Sequence, residues 1–303
     1  MKKDFIDIDD LSVLEINSIF NLTDKLKRNK QKFSQSLSGK TLALIFQKPS
    51  NRTRVSFEVG MYQLGGNCIY LAPNEINLGV RESIKDVALT LSRYLDGMVL
   101  RTYAHQTILE MAKFAGIPVI NGLSDFSHPC QALADVYTIK EKLKVLKGKI
   151  FTYVGDGNNV CNSLLLAMAK TGMDMHVATP KGYEPDKGVL KKAKQIASGK
   201  CRIKLFSDAG KASLNCDVLY TDVWASMGQE KETKKRKQLF KDFQINQHLV
   251  KLAKKAVLIM HCLPAHRGDE ITDEVIDSRN SIVFDQAENR MHVQKAILIK
   301  LLK

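Results

Sequence analysis

The stretch TLALIFQKPSNRTRVSFEVG, residues 41–60, leads from an apolar strand through a tight turn into a helix. Residues 41–46 form a short apolar run between Gly39 and Pro49, which predicts a buried strand. Beyond Ser50, apolar residues recur at helical spacing in two stripes, Val55, Val59 and Tyr62 on one, and Phe57, Met61 and Leu64 on the other. The stretch is therefore a strand–turn–helix unit, the building block of parallel α/β sheets.

The turn inside this stretch is a candidate anion site. Ser50 occupies the N-cap position, and the free amides of the first helical turn lie beyond it at the positive end of the helix dipole. That end favours acids, whereas the sequence places Arg52 and Arg54 there. A bound phosphate resolves this conflict, because its oxygens match the guanidinium fork. The alternative is a Ser-capped helix whose arginines are only solvated.

The alternation of strands and helices continues along the chain. Further strands are predicted at 67–71, 97–101, 117–121, 149–155, 175–179, 202–206, 217–222, 257–261 and 281–285. The helical stretches between them predict an α/β fold with two doubly wound parallel-sheet domains, residues 1–145 and 146–285. A C-terminal helix over 286–303 is predicted to follow.

Composition narrows the class of protein. With 303 residues and 44% hydrophobic content, the chain is long enough for two separate cores. It shows no apolar run of membrane-spanning length, and MKKDFIDIDD lacks the apolar core of a signal peptide, so a cytoplasmic protein without membrane contact is expected.

Its six cysteines show neither a CxxC pair nor zinc-ligand spacing, so no metal site is predicted. Much of the net charge of +14 lies in lysine-rich stretches without interleaved aromatic residues, which argues against nucleic-acid binding.

A glycine-containing turn in the second half resembles a dinucleotide-binding loop only in part. VGDGNNV, residues 154–160, follows a predicted strand, but Val160 replaces the third glycine and no acid ends the next strand. A nicotinamide cofactor is therefore disfavoured, and no cofactor is predicted. Asn158 and Asn159 either cap the following helix or bind a carboxylate or ammonium group of a small substrate.

Polar side chains at the predicted strand ends are the candidates for chemistry, because open α/β sheets bind ligands beyond the carboxyl ends of their strands. Arg101, His128 and Gln131 together can hydrogen-bond a polarised carbonyl oxygen, as acyl-type transfer requires. Asp222 and Cys262, if they converge on one cleft, can bind an amine and help it lose a proton. Taken singly, these residues also have structural explanations. His128 and Gln131 fit a helix cap, Cys262 a buried thiol and Asp222 a loop carboxylate.

Several segments resemble the aspartate/ornithine carbamoyltransferase family, in the right order along nearly the whole chain. SNRTR, residues 50–54, is similar to the family's STRTR phosphate loop, with Asn51 in place of the usual Thr or Gly. Arg101, HPCQ at 128–131 and HCLP at 261–264 match further blocks of the family. Asp222 with SMG at 226–228 matches the stretch that marks the ornithine-specific branch, and Arg290 matches the late arginine that returns to the phosphate site.

The resemblance implies transfer of the carbamoyl group of carbamoyl phosphate to the side-chain amine of ornithine, giving citrulline and phosphate. It assigns carbamoyl phosphate binding to Ser50, Asn51, Arg52, Thr53, Asn77, Arg101, His128, Gln131, Cys262, Leu263 and Arg290. It assigns ornithine binding to Asn159, Asp222, Ser226 and Met227, and catalysis to Arg101, His128, Asp222 and Cys262. It also implies a C-terminal helix that packs back on the first domain. The implied assembly is a homotrimer with shared sites, in which the loop at Asn77, where a Gln is common, reaches the neighbouring subunit.

Three alternatives stay open at the level of sequence. Acetylornithine, putrescine or aspartate can replace ornithine as the amine, although the SMG stretch argues against them. A family member that has lost catalysis is disfavoured, because the phosphate arginines, Asp222 and Cys262 are all present. A basic nucleic-acid-binding protein is the third alternative, and a salt-dependent gel shift distinguishes it.

Overall fold

The computed structural model describes residues 3–225 and 230–303. The chain divides into two compact units, Met1–Tyr137 with Glu288–Lys303, and Thr138–Ala287. Each unit has its own parallel sheet flanked by helices, and a long C-terminal helix ends the chain. The predicted fold class of two doubly wound parallel-sheet domains is therefore confirmed.

The first unit is built on a sheet of four described strands. These are β1 (Thr41–Phe46), β2 (Asn67–Leu71), β3 (Gly97–Arg101) and β4 (Val119–Leu123). They pair in parallel in the order β2-β1-β3-β4. The helices that accompany them are α1 (Val13–Arg28), α2 (Asn51–Gln63), α3 (Pro73–Ile76), α4 (Ile84–Leu91), α5 (His105–Phe114) and α6 (Pro129–Leu143). Residues 42–46 of β1 are completely buried, as expected of a central strand covered on both faces.

The second unit is built on a sheet of five described strands. These are β5 (Ile150–Val154), β6 (Asp174–Ala178), β7 (Ile203–Phe206), β8 (Val218–Thr221) and β9 (Leu258–His261). They pair in parallel in the order β7-β6-β5-β8-β9. The chain runs outward from β5 through β6 to β7 and then crosses back to place β8 and β9 on the other side of β5. The helices of this part of the chain are α7 (Asn159–Thr171), α8 (Lys187–Ala197), α9 (Ala209–Ser213), α10 (Thr233–Phe240), α11 (Gln247–Leu252), α12 (Asp273–Ile276) and α13 (Val283–Leu302). Short 3-10 helices occupy Ile8–Asp10, Gln31–Phe33, Glu230–Glu232 and Lys241–Phe243.

One predicted strand is wrong. Residues 281–285 do not form a strand: Ser281 makes a single bridge to Ile259 of β9, and α13 begins at Val283. A short apolar run does not distinguish a strand from the first turn of a helix, which explains the error. The burial agrees with the helix, because Ile282, Val283 and Gln286 are all buried, whereas the alternation of a strand would expose one of the two neighbours Ile282 and Val283.

Helix α2 buries only one of its two apolar stripes. Phe57 and Met61 are completely buried, whereas Val55 and Tyr62 are 53% and 81% exposed. The residues of α13 that belong to the first unit contact α2, since Lys295 Nζ donates to Gln63 Oε1 at 2.9 Å. The C-terminal helix thus returns to the first unit. No helix within 3–225 and 230–303 is both long and apolar enough to cross a lipid bilayer.

Candidate active site

The turn after β1 holds candidate site residues of the first unit. Ser50 is the N-cap of α2: its Oγ accepts a hydrogen bond from Thr53 N at 3.3 Å and donates one to Thr53 Oγ1 at 3.0 Å. This satisfies the amide of Thr53, and a second amide of the first turn, that of Arg52, is bound by the Asn51 side chain. The predicted strand, turn and cap are confirmed, and the helix end has the polarity that anions prefer.

Arg290 of α13 joins this turn to helix α6. Its Nη2 donates to Thr53 Oγ1 at 2.7 Å, and its Nη1 donates to Gln131 Oε1 at 3.1 Å. Gln131 Nε2 in turn donates to Asp135 Oδ1 at 2.8 Å. All four side chains are buried. A guanidinium, a hydroxyl and an amide that are distant in sequence are therefore held together by hydrogen bonds at one edge of the first unit.

Arg101 and His128 lie close to the same edge. Arg101 is the last residue of β3, where it pairs in register with Phe46, and His128 immediately precedes α6. Burial lowers the pKa of His128 well below its usual 6.5, and the positive charges of Arg290 and Arg101 lower it further. The charges of both guanidinium groups thus act on one imidazole. At neutral pH His128 is uncharged and can act as a neutral hydrogen-bonding group.

The two arginines of the loop have different surroundings. Arg54 is bound on the helix surface, because its Nε donates to Glu58 Oε1 at 2.9 Å and its guanidinium lies 4.0 Å from the centre of the Tyr70 ring. The solvated-surface alternative thus describes Arg54. Arg52 is half-buried in the first turn of α2, one residue before Thr53.

Two predicted phosphate ligands are exposed. Asn51 Oδ1 accepts from the backbone amide of Arg52 at 2.7 Å, so its side chain caps the local chain. Asn77 ends α3 in the left-handed conformation, with φ of 40°, and its side chain is exposed. The loop that follows it is attached to the first unit through Gln47 Nε2, which donates to Leu78 O at 3.3 Å.

Candidate site residues of the second unit lie at the carboxyl ends of β8 and β9. Asp222, which follows β8, accepts a hydrogen bond from Cys262 Sγ on Oδ1 at 2.9 Å and one from Asn158 Nδ2 on Oδ2 at 2.7 Å. Asp222 is buried and Cys262 is half-buried. The predicted convergence of the thiol and the carboxylate is thus present. Asn158, for which the sequence left a helix cap or a substrate contact open, is a direct partner of Asp222.

The two asparagines at the start of α7 have different positions and contacts. Asn158 is the N-cap, and its Oδ1 accepts from Val160 N and Cys161 N at 3.0 and 3.1 Å. It also accepts from the hydroxyl of Tyr153 at 3.2 Å, and burial followed by the charge of Asp222 raises the pKa of that phenol well above 10.0. Asn159 is the first residue of α7 and is half-buried.

A buried ion pair between Arg236 and Asp156 was not predicted from the sequence. Arg236 of α10 is buried, and its Nη1 donates to Asp156 Oδ2 at 2.7 Å and to the carbonyl oxygen of Trp224 at 2.8 Å. Burial raises the pKa of Asp156 to about 6, while Arg236 opposes the rise. The lysine-rich stretch at 231–237 therefore contains one structural arginine. The only sequence feature that pointed to this ion pair was the acidic residue Asp156 between the glycines of GDGNN. That feature does not identify Arg236, 80 residues away, as its partner.

One group of described residues has ligand atoms close enough to surround a metal ion. Asp222, His261 and Cys262 each offer one atom within 4.8 Å of the others. However, His261 Nδ1 accepts from Leu263 N at 2.8 Å, and His261 Nε2 lies 3.0 Å from Glu270 Oε1. Both ring nitrogens are therefore engaged, and this histidine has no lone pair to offer a metal.

Two pairs of predicted substrate-binding residues remain. Ser226 and Met227 fall outside the described residues. Leu263 and Cys262, expected to serve carbamoyl phosphate, belong to the second unit together with Asp222. Leu263 adopts the left-handed conformation, with φ of 56°, which is strained for a residue other than glycine.

Comparisons with known proteins agree with these two halves. Residues 3–141 match the family model described as the carbamoyl-P binding domain of aspartate/ornithine carbamoyltransferase, and residues 147–301 match its Asp/Orn binding domain. The chain is 55% identical over 292 residues to the ornithine carbamoyltransferase of Pyrococcus horikoshii, covering 96% of this chain and 91% of that protein. It is 54% identical over 288 residues to the anabolic ornithine carbamoyltransferase of Pyrococcus furiosus, covering 95% and 90%. A solved structure of ornithine carbamoyltransferase from Pyrococcus furiosus superposes with a TM-score of 0.96 at 52% identity, covering 99% of this chain and 97% of that one.

Proposed function

The chain belongs to the aspartate/ornithine carbamoyltransferase family, and on this premise we propose that it transfers the carbamoyl group of carbamoyl phosphate to the side-chain amine of L-ornithine, giving L-citrulline and phosphate. The observation that carries the proposal is the presence, in separate units, of a cationic helix end suited to a phosphate and a carboxylate–thiol pair suited to an amine. Each unit supplies the groups that one of the two substrates needs.

The phosphate end of carbamoyl phosphate suits the Ser50 turn. The positive end of the α2 dipole and the guanidinium groups of Arg52 and Arg101 provide donors and positive charge for its oxygens. Asn51 and Asn77 belong to the proposed binding set as loop residues. Arg290 fixes Thr53 and Gln131 in place, so the cradle is formed before the substrate arrives.

The carbamoyl group then lies against Arg101, His128 and Gln131. A positive guanidinium and a neutral imidazole donate to the carbonyl oxygen, where negative charge develops during attack. A neutral His128 suits this task, because a third positive charge beside Arg101 and Arg290 is disfavoured by the same field that lowers its pKa. Gln131 has an amide oxygen and nitrogen, and the carbamoyl NH₂ is matched by the oxygen.

The ornithine end is assigned to the second unit. The carboxylate of Asp222 attracts an ammonium group and repels the second carboxylate of aspartate, which favours ornithine over aspartate as the substrate. Cys262 is placed beside the reacting amine through its hydrogen bond to Asp222, with Leu263 next to it. Asn159, Ser226 and Met227 complete the proposed ornithine set.

In the proposed reaction the neutral side-chain amine attacks the carbonyl carbon. The new N–C bond forms as a tetrahedral intermediate, the C–O bond to phosphate breaks, and the amine nitrogen loses one proton, which the departing phosphate accepts. Because only the neutral amine is a nucleophile, turnover rises from neutral toward alkaline pH as ornithine loses its side-chain proton.

A comparison of four amines tests the proposal. Citrulline or the matching carbamoyl product is measured with carbamoyl phosphate and ornithine, acetylornithine, putrescine or aspartate, with the Arg101→Ala variant as the inactive control. We expect ornithine to exceed each of the others in kcat/KM by on the order of 10⁴, because a site built to bind a substrate group rejects an analogue that lacks it. A value for any other amine equal to or above that for ornithine overturns the assignment.

Assembly and setting are part of the proposal. We expect a cytoplasmic homotrimer with sites shared between subunits, and analytical ultracentrifugation tests the trimer. Because the relative from Pyrococcus furiosus is named anabolic, we also propose a role in amino-acid biosynthesis, within arginine metabolism.

A further inference from the structure

Glu270 is a completely buried carboxylate that the proposed reaction does not use. It lies nine residues after His261 in sequence, with 0% exposure. Its Oε1 accepts from the backbone amide of His266 at 2.6 Å and faces His261 Nε2 at 3.0 Å. Its Oε2 has no hydrogen-bond partner within residues 3–225 and 230–303. Burying a carboxylate with one unsatisfied oxygen is costly, so its retention needs a physical explanation.

The hydrogen bonds of His261 determine its tautomer. Nδ1 accepts from Leu263 N, so this nitrogen carries no proton, and the ring proton lies on Nε2. Nε2 therefore donates to Glu270 Oε1. The ring is completely buried, and the backbone amide of His261 donates to Gln286 Oε1 at 3.1 Å. Glu270 thus holds the imidazole in the one tautomer that can accept from Leu263.

Leu263 needs that support. Its φ of 56° is left-handed, a conformation that is strained for a residue with a Cβ. The hydrogen bond from its amide to His261 holds the turn in this conformation. Cys262 is the residue between the two, and its Sγ lies 2.9 Å from Asp222 Oδ1. A change in the turn at Leu263 therefore moves the thiol away from the carboxylate.

We propose that Glu270 is a positioning residue: through His261 and the Leu263 turn it holds the Cys262 thiol on Asp222 in the ornithine half of the site. It does not touch the substrate. The catalytic consequence rests on the proposed function, whereas the placement of the thiol can be measured without any substrate. The alternative is a carboxylate that serves only the folding of the second unit.

The test compares Glu270→Ala with Glu270→Gln and with a control. Gln keeps the size of the side chain and an amide oxygen that can accept from His261 or His266, whereas Ala leaves both donors without an acceptor. Asp174→Ala is the matched control, because Asp174 is also a buried acid of the second unit, bound to Arg202 at 2.8 Å at the start of β6 and outside the site. Melting temperatures of all variants report the loss of stability.

The first measurement is the rate at which iodoacetamide alkylates Cys262 in the native protein, followed by mass spectrometry of the Cys262 peptide. A thiol that donates its proton to a carboxylate reacts slowly, because the thiolate is the nucleophile. We expect Glu270→Ala to raise this rate at least fivefold and Glu270→Gln to stay within twofold of the unchanged protein. The Asp174→Ala rate should also stay within twofold, even when its melting temperature falls as far.

The second measurement is steady-state kinetics. Glu270→Ala should lower kcat/KM for ornithine by on the order of 10- to 100-fold, as removal of the outer partner of a functional histidine does in metal sites, with KM for carbamoyl phosphate within threefold. An unchanged alkylation rate in Glu270→Ala, or an equal rise in Asp174→Ala, overturns the positioning role. If the unchanged protein forms no citrulline while the alkylation rates behave as expected, only the proposed function falls.

Discussion

Two arginines two positions apart, Arg52 and Arg54, allow a paired test of the proposed phosphate site. We predict that Arg52→Ala weakens the binding of carbamoyl phosphate or a phosphonate analogue by roughly 10- to 150-fold, the equivalent of a charge-assisted hydrogen bond of about 1.5–3 kcal/mol. Arg54→Ala should change the affinity less than threefold, because its guanidinium is engaged by Glu58 and Tyr70. Calorimetric titration of both variants decides the matter. Equal losses in the two variants contradict a specific phosphate contact for Arg52.

The buried His128 predicts a pH dependence of stability. Its pKa is well below 6.5 in the folded protein and near 6.5 in the unfolded chain, so below pH 6.5 only the unfolded state takes up this proton. The contribution of His128 to stability is therefore lost as pH falls, by up to about 1.4 kcal/mol for each pH unit. We predict that His128→Gln makes the fall in the free energy of unfolding between pH 7 and pH 5 less steep.

Urea titrations at several pH values measure this slope. His105 and His292 have lowered pKa values too, so both proteins lose stability toward low pH. The relevant quantity is the difference in slope between the unchanged protein and His128→Gln. Parallel slopes would mean that His128 is protonated in the folded state, against the field of Arg101 and Arg290.

At the scale of elements, two helix caps of the second unit separate stability from function. Asn158 and Asn246 each accept two backbone hydrogen bonds at the start of their helices, α7 and α11. Replacement of either by Ala should cost about 1 kcal/mol of stability. Only Asn158 also donates to Asp222, so only Asn158→Ala should lower kcat/KM for ornithine, by about tenfold, the equivalent of about 1.4 kcal/mol.

Denaturant unfolding and initial rates on both variants check this prediction. A similar loss of stability in Asn158→Ala and Asn246→Ala, with activity lost only in the first, is the expected pattern. Unchanged kinetics in Asn158→Ala would show that its bond to Asp222 does not orient the carboxylate for the reaction.

The elements themselves were largely predictable from sequence. Buried parallel strands such as β1 are continuous apolar runs, and caps such as Ser50 and Asn158 have distinctive side chains, so local patterns suffice. The start of α13 was not predictable, because residues 281–285 contain an apolar run that fits a strand or a helix equally well. Ser281 forms a single bridge to Ile259 of β9, and helix α13 begins two residues later, at Val283.

Contacts between distant residues define the rest of the site and lie beyond local patterns. Arg290 and Thr53 are 237 positions apart, and no periodicity or spacing indicates that their side chains meet. The family resemblance supplied that expectation. The buried links Asp156–Arg236 and His261–Glu270 had no such guide, since each consists of ordinary charged residues that become distinctive only when they are buried together.

At the scale of the whole molecule, the loop at Asn77 leads to a test of shared sites. We predict that a protein with residues 77–83 replaced by a Gly/Ser segment of equal length, and a second protein with Arg101→Ala, are both inactive. Reassembly of the two in equal amounts should restore about a quarter of the normal activity, because one site in four then combines an intact loop with an intact Arg101 from the adjacent chain. A mixture as inactive as its parents would mean that each site is built from a single chain.

The return of α13 to the first unit has a consequence for the order of synthesis. The ribosome makes residues 138–287, the whole second unit, before it reaches Arg290. Domains that fold during synthesis normally form in order from the N-terminus. Here the first unit lacks the guanidinium that joins Thr53 to Gln131 until the second unit has emerged. A nascent chain stalled before residue 288 therefore displays the Ser50 turn without its bridge, and we expect it to bind carbamoyl phosphate more weakly than the full chain does.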